Sequence, residues 1–401
     1  MNYILDGANR SSGDEGVVGL SWVIDLYDRD DLFDYVDNDE VVRLSGLRGT
    51  GGFRNARAVN KSTGISIRRI LQPGLEAVDI GETLWQRLLN QTGLDAADFD
   101  EVLLCHSHVN PSECRSLARL LTERQPGLRN RIRPLNYGCC GYLKMMDDAV
   151  QTLDGDPEVN RLALLSVETP ETWHDASDRL FCGIVSAGAT ASIVERDRGL
   201  PVSVARSEDF RVPMDRRPNA DPLFVRENCS AFSFRGEPDE RTVMRMNAES
   251  VFVNGIELML DNLRAALDSI EIDRGQRVVV VPHQPSGKLL KALIAAASGE
   301  FPHLEFVNNL DRFGNTISSS VPTILSRLPE VLQDNQIPPI REGDHLVLLA
   351  AGICMKEIDD HMSAGHTCLT WQSNAVNSGQ YVPHTATAPG AVTTTERGTV
   401  D

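Results

Sequence analysis

No stretch of this sequence approaches the roughly 18 consecutive apolar residues that a bilayer-crossing helix requires. The opening residues, MNYILDGANRSSGDEG, carry neither a basic n-region nor an apolar h-region. These two lacks lead to the expectation of a cytoplasmic chain with no membrane partner. Paired cysteine spacing is also missing: the eight cysteines, at 105, 114, 139, 140, 182, 229, 354 and 368, are scattered, most of them in apolar runs. That disfavours a disulfide scaffold and fits a reducing compartment. Positive charge is short as well, with 39 Lys and Arg against 57 Asp and Glu and a formal net charge of -18. Nucleic acid is therefore disfavoured as a partner, because like charges repel before contact. At 401 residues, 41% hydrophobic and 24% charged, the chain is long enough for one large core or two medium ones.

Against this acidic background two stretches stand out. Between Val41 and Gly74 lie Arg43, Arg48, Arg54, Arg57, Lys61, Arg68 and Arg69 with no acidic residue among them. Between Arg115 and Arg133 lie six arginines and one acid, Glu123. Each reads either as a solvated basic face or as a landing surface for a phosphate-bearing cofactor or an acidic carrier protein.

Short apolar runs at 99–108, 161–169, 276–284 and 344–352 read as buried parallel strands, each set among amphipathic helical patterns. Helices are expected at ETLWQRLLNQTGL, SECRSLARLLTER, LKMMDDAVQTL, SVFVNGIELMLDNLRAAL, GKLLKALIAAAS and SSVPTILSRLPEVL. The matching order points to two similar α/β halves, 1–199 and 243–372. The proline-bearing stretch 200–242 is expected to form loops and hairpins near the entrance to a site. The tail 373–401, low in large apolar residues, is expected to be disordered.

Three places carry reactive chemistry. PLNYGCCGYLKMMDDAV sets Cys139 and Cys140 on a glycine-flanked turn before a helix, where the macrodipole and free N–H groups favour a thiolate. VVVVPHQ sets His283 at the end of a buried strand, where α/β sheets concentrate their sites. DRFGNTISSSVP sets Asn315 in a glycine loop before a helix, which alone reads as a turn or cap. CHSH, Cys105 to His108, lacks a second ligand pair, so no metal site is expected there; His106 or His108 would line a site instead.

Taken in order, NYGCCGYLKMM, VVVPHQ and RFGNTISSSVP resemble the nucleophile turn, histidine strand and asparagine loop of the ketoacyl-acyl-carrier-protein synthase III branch of the thiolase superfamily. TGISIRR, GLDAADFDEVLL and MRMNAESVFVNGIELM agree, and the resemblance covers about residues 60 to 350. It selects Cys139 over Cys140, which is then read as packing. It implies an α/β thiolase fold of two pseudo-duplicated halves in a five-layer αβαβα arrangement. It also implies catalytic Cys139, His283 and Asn315, oxyanion donors at Cys139 and Gly352, and cofactor contacts at Lys61, Arg68 and Arg69. No permanent cofactor is expected; the substrates implied are acyl-coenzyme A or acyl-carrier-protein thioesters, and a homodimer is expected.

The implied reaction is decarboxylative Claisen condensation, in which an acyl group on Cys139 joins a malonyl-type thioester. The alternative is acyl transfer from Cys139 to a hydroxyl or amine, and a non-catalytic partner of a synthase would be expected to lack part of the triad. SAGATASIV stands where relatives have a Gly-Asp-Gly-Ala loop, Ser62 stands where they commonly have arginine, and the segment after Gly352 carries extra residues. These departures point to a specialised biosynthetic pathway.

Overall fold

The computed structural model describes residues 17–217, 221–356, 360–372 and 382–383. Its first elements are β1 (Val18–Asp25), β2 (Phe33–Asp37), α1 (Asn38–Ser45), α2 (Ala56–Thr63), β3 (Ile67–Leu71), α3 (Ala77–Thr92), β4 (Glu101–Cys105), α4 (Pro111–Arg124), β5 (Ile132–Leu135), α5 (Gly141–Gly155), β6 (Arg161–Glu168) and β7 (Gly188–Arg196). There follow β8 (Leu200–Arg211), β9 (Phe224–Phe232), β10 (Pro238–Met246), α6 (Ala248–Asp268), β11 (Val278–Pro282), α7 (Gly287–Glu300), β12 (Glu305–Phe306), α8 (Leu310–Phe313), α9 (Ser320–Ser326), α10 (Leu328–Asp334), β13 (His345–Ile353) and β14 (His361–Thr370). Val382–Pro383 forms β15, parallel to β1; the rest of the tail expected to be disordered lies outside the described residues.

In space the strands run β5-β4-β6-β7-β1, then β8-β14-β13-β11-β12, with β1 and β8 touching through only two residue pairs. Each run repeats one design. The outermost strand and the third are both parallel to the second, and the remaining two continue antiparallel. The second half thus duplicates the first, with β8 in the place of β1.

Alternation along the central strands builds the layers. Leu103 and Cys105 of β4 and Leu162 and Leu164 of β6 face one core, while Val102, Leu104, Ala163 and Leu165 face another. The second half does the same, with Val279, Val281, Leu346 and Leu348 on one side and Val278, Val280, Val347 and Leu349 on the other. Successive side chains point to opposite faces, so a strand apolar at every position must be covered on both. The shared core holds residues of α5 and α9 between the sheets; α3 and α4 cover one outer face, α6 and α7 the other. That is the five-layer αβαβα thiolase arrangement. Helix α5, buried around most of its circumference, is the kind of helix a central layer requires.

Two local expectations change. Residues 200–211, read as loop, form β8, a twelve-residue strand paired with β14 over most of its length. Pro201 is tolerated because it stands at the strand's start, and Pro213 falls beyond its end. The hairpin at β9 and β10 does form, as its own two-stranded sheet. The single helix expected over 319–332 is broken at Arg327, because Pro329 has no N–H to continue the ladder.

That break has a partner in the first half. Arg327 reaches β1 and makes a bidentate ion pair with Asp25, 2.8 Å for each bond, with both residues buried. Burial alone would raise the Asp25 carboxyl, but Arg327, Ser326 Oγ and the Tyr27 N–H together hold it below its ordinary value. Asp25→Ala leaves the buried guanidinium with only the more distant Glu330, 3.7 Å away, and should cost about 3 kcal/mol in urea unfolding at pH 7. Wild type holds this advantage above the unfolded aspartate pKa of about 4 and loses it as pH falls further, so the two proteins should converge in acid. A loss under about 1 kcal/mol would show that the pair does not hold the halves together.

Candidate active site

Cys139 stands in a single 3₁₀ turn, Gly138–Cys140, that leads directly into α5. The turn works only with glycine. Gly138 has φ of +61°, and a Cβ there would fall 2.3 Å from the Ile353 carbonyl oxygen. A Cβ on Gly141 would fall 2.3 Å from Cys105 Sγ. From the other half, β13 brings Gly352 so close that a Cβ on it would lie 2.6 Å from Cys139 Cβ and 2.9 Å from Sγ.

Cys139, Gly352, His283 and Asn315 all line one cavity of about 960 Å³, open mouth included. Cys139 is half-buried and faces this space, whereas Cys140 is fully buried in the central core beneath Gly365. His283 directly follows β11, its backbone N–H donating to Leu349 O at 2.6 Å, and neither ring nitrogen has a partner among the described residues. Burial pushes its pKa down to about 3, so the imidazole is neutral. Asn315 is held from both sides: its N–H donates to Ile184 O at 3.0 Å and its carbonyl accepts from Ser186 N–H at 2.9 Å. Its side chain accepts from Ile317 N–H at 2.9 Å and donates to Pro285 O at 3.3 Å. Ile317 carries φ of +52°, costly for a β-branched residue and of the kind concentrated at functional sites.

The divergent SAGA segment packs against the loop that carries Asn315. Ser186 receives the Arg69 N–H on its Oγ, and a Cβ on Gly314 would lie 3.0 Å from Ser186 Cβ.

The expectation that the helix terminus favours a thiolate is corrected. Burial pushes the Cys139 thiol up to about 12, the nearby Glu168 adds to this, and the local backbone N–H only partly offsets them. Glu168 was not foreseen. It ends β6, wholly buried, and accepts from Ser107 N–H at 3.0 Å, from Ser107 Oγ at 2.8 Å and from Ser318 Oγ. Burial lifts its carboxyl to about 7. Ser107, from the CHSH run, lines the cavity, and the described residues hold no cluster of three or more metal-ligating side chains.

Two cofactor contacts fail. Arg68 is fully buried, its guanidinium donating to Gly183 O, Thr63 Oγ1, Ile65 O and Asn38 Oδ1. Arg69 donates to Arg312 O and lies about 5 Å from the rings of Tyr27, Tyr35 and Phe313. Neither can offer itself to a phosphate; both tie β3 to its surroundings. Arg43 and Arg48 are likewise engaged, with Glu40 and Asp175, and in the second basic stretch Arg119, Arg124 and Arg133 pair with acids. Lys61 stays exposed on α2, whose capping Gly64 packs against Gly287 at the start of α7, next to the cavity-lining Ser286.

Residues 267–356 match the family model of the 3-oxoacyl-[acyl-carrier-protein (ACP)] synthase III C terminal. The beta-ketoacyl-[acyl-carrier-protein] synthase III of Brucella suis is 25% identical over 299 residues, which cover 72% of this chain and 85% of that protein. The 3-oxoacyl-(acyl carrier protein) synthase III of Pseudomonas aeruginosa PAO1 superposes with a TM-score of 0.65 at 19% identity, over 89% of this chain and 99% of that one. The priming beta-ketosynthase of the R1128 polyketide pathway gives 0.66 at 19%, over 90% and 98%. The chain is thus similar to synthase III proteins and shares their fold. No helix among its described residues is long and apolar enough to cross a membrane.

The charge on Glu168 should give the Cys139 thiol a pH dependence of its own. Glu168→Gln should raise the rate of Cys139 alkylation by iodoacetamide at pH 8 by roughly 2- to 10-fold, because a negative charge opposing the thiolate is removed. At pH 6 the wild-type carboxyl is itself protonated, so the two rates should converge. Peptide mass mapping reads the site, and an equal ratio at both pH values would remove Glu168 from the account.

Proposed function

We propose that this chain is an acyl-thioester condensing enzyme that forms acyl-Cys139 and joins it to a malonyl-type thioester with loss of CO2. The observation that carries the reading is the meeting of Cys139, His283, Asn315 and Gly352 on one cavity, with His283 neutral and its ring nitrogens unpartnered. In the first step Cys139 Sγ attacks the acyl carbonyl. Its proton leaves with the departing thiol, and the backbone N–H groups of Cys139 and Gly352 receive the oxyanion. In the second, the malonyl-type unit loses CO2 and leaves an enolate. A ring N–H of His283 and Nδ2 of Asn315 donate to its oxygen. The enolate carbon then attacks acyl-Cys139, forming the carbon–carbon bond and releasing the sulfur to be reprotonated. Neutral donors suit this step, since an imidazolium would hold the carboxylate that must leave.

The donor is an acyl-coenzyme A or acyl-carrier-protein thioester, and Lys61 is the remaining basic contact we assign to its anionic part. A homodimer belongs to the same reading. Among the described residues β5 has a single strand neighbour, and such an open edge invites pairing with a second copy; sedimentation should then give twice the chain mass.

Intact-protein mass spectrometry with a panel of acyl-coenzyme A thioesters, followed by a malonyl thioester chase and CO2 detection, tests the whole scheme. Wild type should gain an acyl mass and lose it with CO2 release, and Cys139→Ala should gain none. His283→Ala should still load but condense roughly 100-fold or more slowly. Lys61→Glu should raise the thioester concentration needed for half-maximal loading. Loading without CO2 release would turn the assignment to acyl transfer onto a hydroxyl or amine, and normal turnover by Cys139→Ala would end it.

A further inference from the structure

The cavity that holds Cys139 is lined by two polar rings for which the condensation has no use. After β6 the chain makes one 3₁₀ turn, Pro170–Thr172, and then presents Trp173 and His174, 2% and 1% exposed, both lining that cavity. Trp173 packs in the same apolar cluster as Cys139. Nε1 of Trp173 and Nε2 of His174 are buried without any hydrogen-bond partner. The two rings stand 4.0 Å apart, and Phe181 lies 4.2 Å beyond His174, so their orientation is set by packing.

The hydrogen-bonding character of each atom can be assigned. His174 Nδ1 lies 2.8 Å from the Pro170 carbonyl oxygen, which can only accept, so Nδ1 carries the proton. Burial pushes the ring's pKa down to about 3, which leaves Nε2 a bare acceptor. Trp173 Nε1–H can only donate. The neighbouring walls, Leu180, Val185, Met244 and Met246 among them, offer nothing to either. A hydrocarbon chain filling this space would leave an acceptor and a donor buried and unanswered, each at a cost. A carbonyl oxygen would answer only Trp173. A hydroxyl both donates and accepts, and it is the smallest neutral group that can answer either atom.

We propose that the acyl group carried on Cys139 bears a hydroxyl, received in the cavity by His174 and Trp173 as specificity-determining residues. This rests on the reading of Cys139 as the acyl carrier. It selects hydroxyacyl thioesters as the donor class over the saturated acyl chains for which a wholly apolar pocket would serve.

The test uses the full-length protein and pairs of C4 to C10 acyl-coenzyme A thioesters, each unsubstituted or carrying a hydroxyl at C3 or at the terminal carbon. The rate of mass gain on Cys139 is read at sub-saturating thioester. At least one hydroxylated member should load about 10-fold or more faster than its parent, the discrimination expected of a site built to hydrogen-bond a hydroxyl. His174→Phe should lower that ratio to within about 2-fold, and His174→Gln, which keeps an acceptor, should retain most of it. Equal loading of every pair by wild type would overturn the proposal and leave a bound water to answer both atoms. So would a preference that survives in both His174→Phe and Trp173→Phe. The wild-type comparison decides without either variant having to fold. No mass gain on Cys139 from any thioester, parent or hydroxylated, would instead bring down the acyl-carrier reading and this proposal with it.

Discussion

The site depends on a contact that tolerates no side chain. The Gly138–Cys140 turn of the first half meets β13 of the second where Gly352 faces Cys139, and a Cβ would lie 2.6 Å from the cysteine's own. One residue along both the turn and β13, Gly138 approaches the Ile353 carbonyl in a left-handed conformation that L side chains rarely adopt. Two halves of one design can share a site only where their backbones come this near. The bidentate pair of Asp25 with Arg327 acts at another point of the same seam, joining β1 to the helix break that follows α9. Register within each sheet and the seam between the halves therefore act together to set the geometry at Cys139.

Burial then decides the charge state of what the seam assembles. It acts alone on His283 and is the largest cause for Cys139, Glu168 and His174, and in each case it favours the neutral form. A helix N-terminus supplies a fraction of a charge and works over about one turn. Desolvation of a thiol in a largely apolar cavity, with Glu168 behind it, outweighs that. The consequence is chemical. On the proposed reading of Cys139 as acyl carrier, a resting thiol and a neutral imidazole lining one cavity hold no ion pair that an incoming thioester would have to break. Its donors keep their full strength for charge that appears only during reaction, in a space where little water competes.

Much of this was legible in the sequence, and the reason is periodicity. Strands such as β4, β11 and β13 are apolar at successive positions because each divides its side chains between two cores, and a run of that kind has few other readings. His283 and Asn315 were findable because each follows such a run or a glycine loop. The strand β8 was not, since it is exposed along much of its length and begins beside Pro201, so its pattern matches that of a loop. Trp173 and His174 were missed for a related reason: ETWHDAS has the composition of a surface turn, and only the packing of Phe181 and the hairpin around it shows that the turn is buried. Glu168 ends an apolar strand in the sequence ALLSVET, and its serine partners Ser107 and Ser318 lie far from it in the chain.

The two arginines at 68 and 69 show what a motif can and cannot carry between relatives. Their place after TGISI is kept, and a basic pair on an acidic protein invites a phosphate. Yet each guanidinium is spent on backbone carbonyls or aromatic faces inside the fold, and Arg68 is desolvated enough to bring its pKa down to about 10. A planar group with five donors is well suited to that task, because it can gather several carbonyls that would otherwise lie buried without partners. Through Gly183 and Ser186 these contacts reach the loop that grips Asn315. The pair therefore stands behind the site, as part of the frame that holds the asparagine loop.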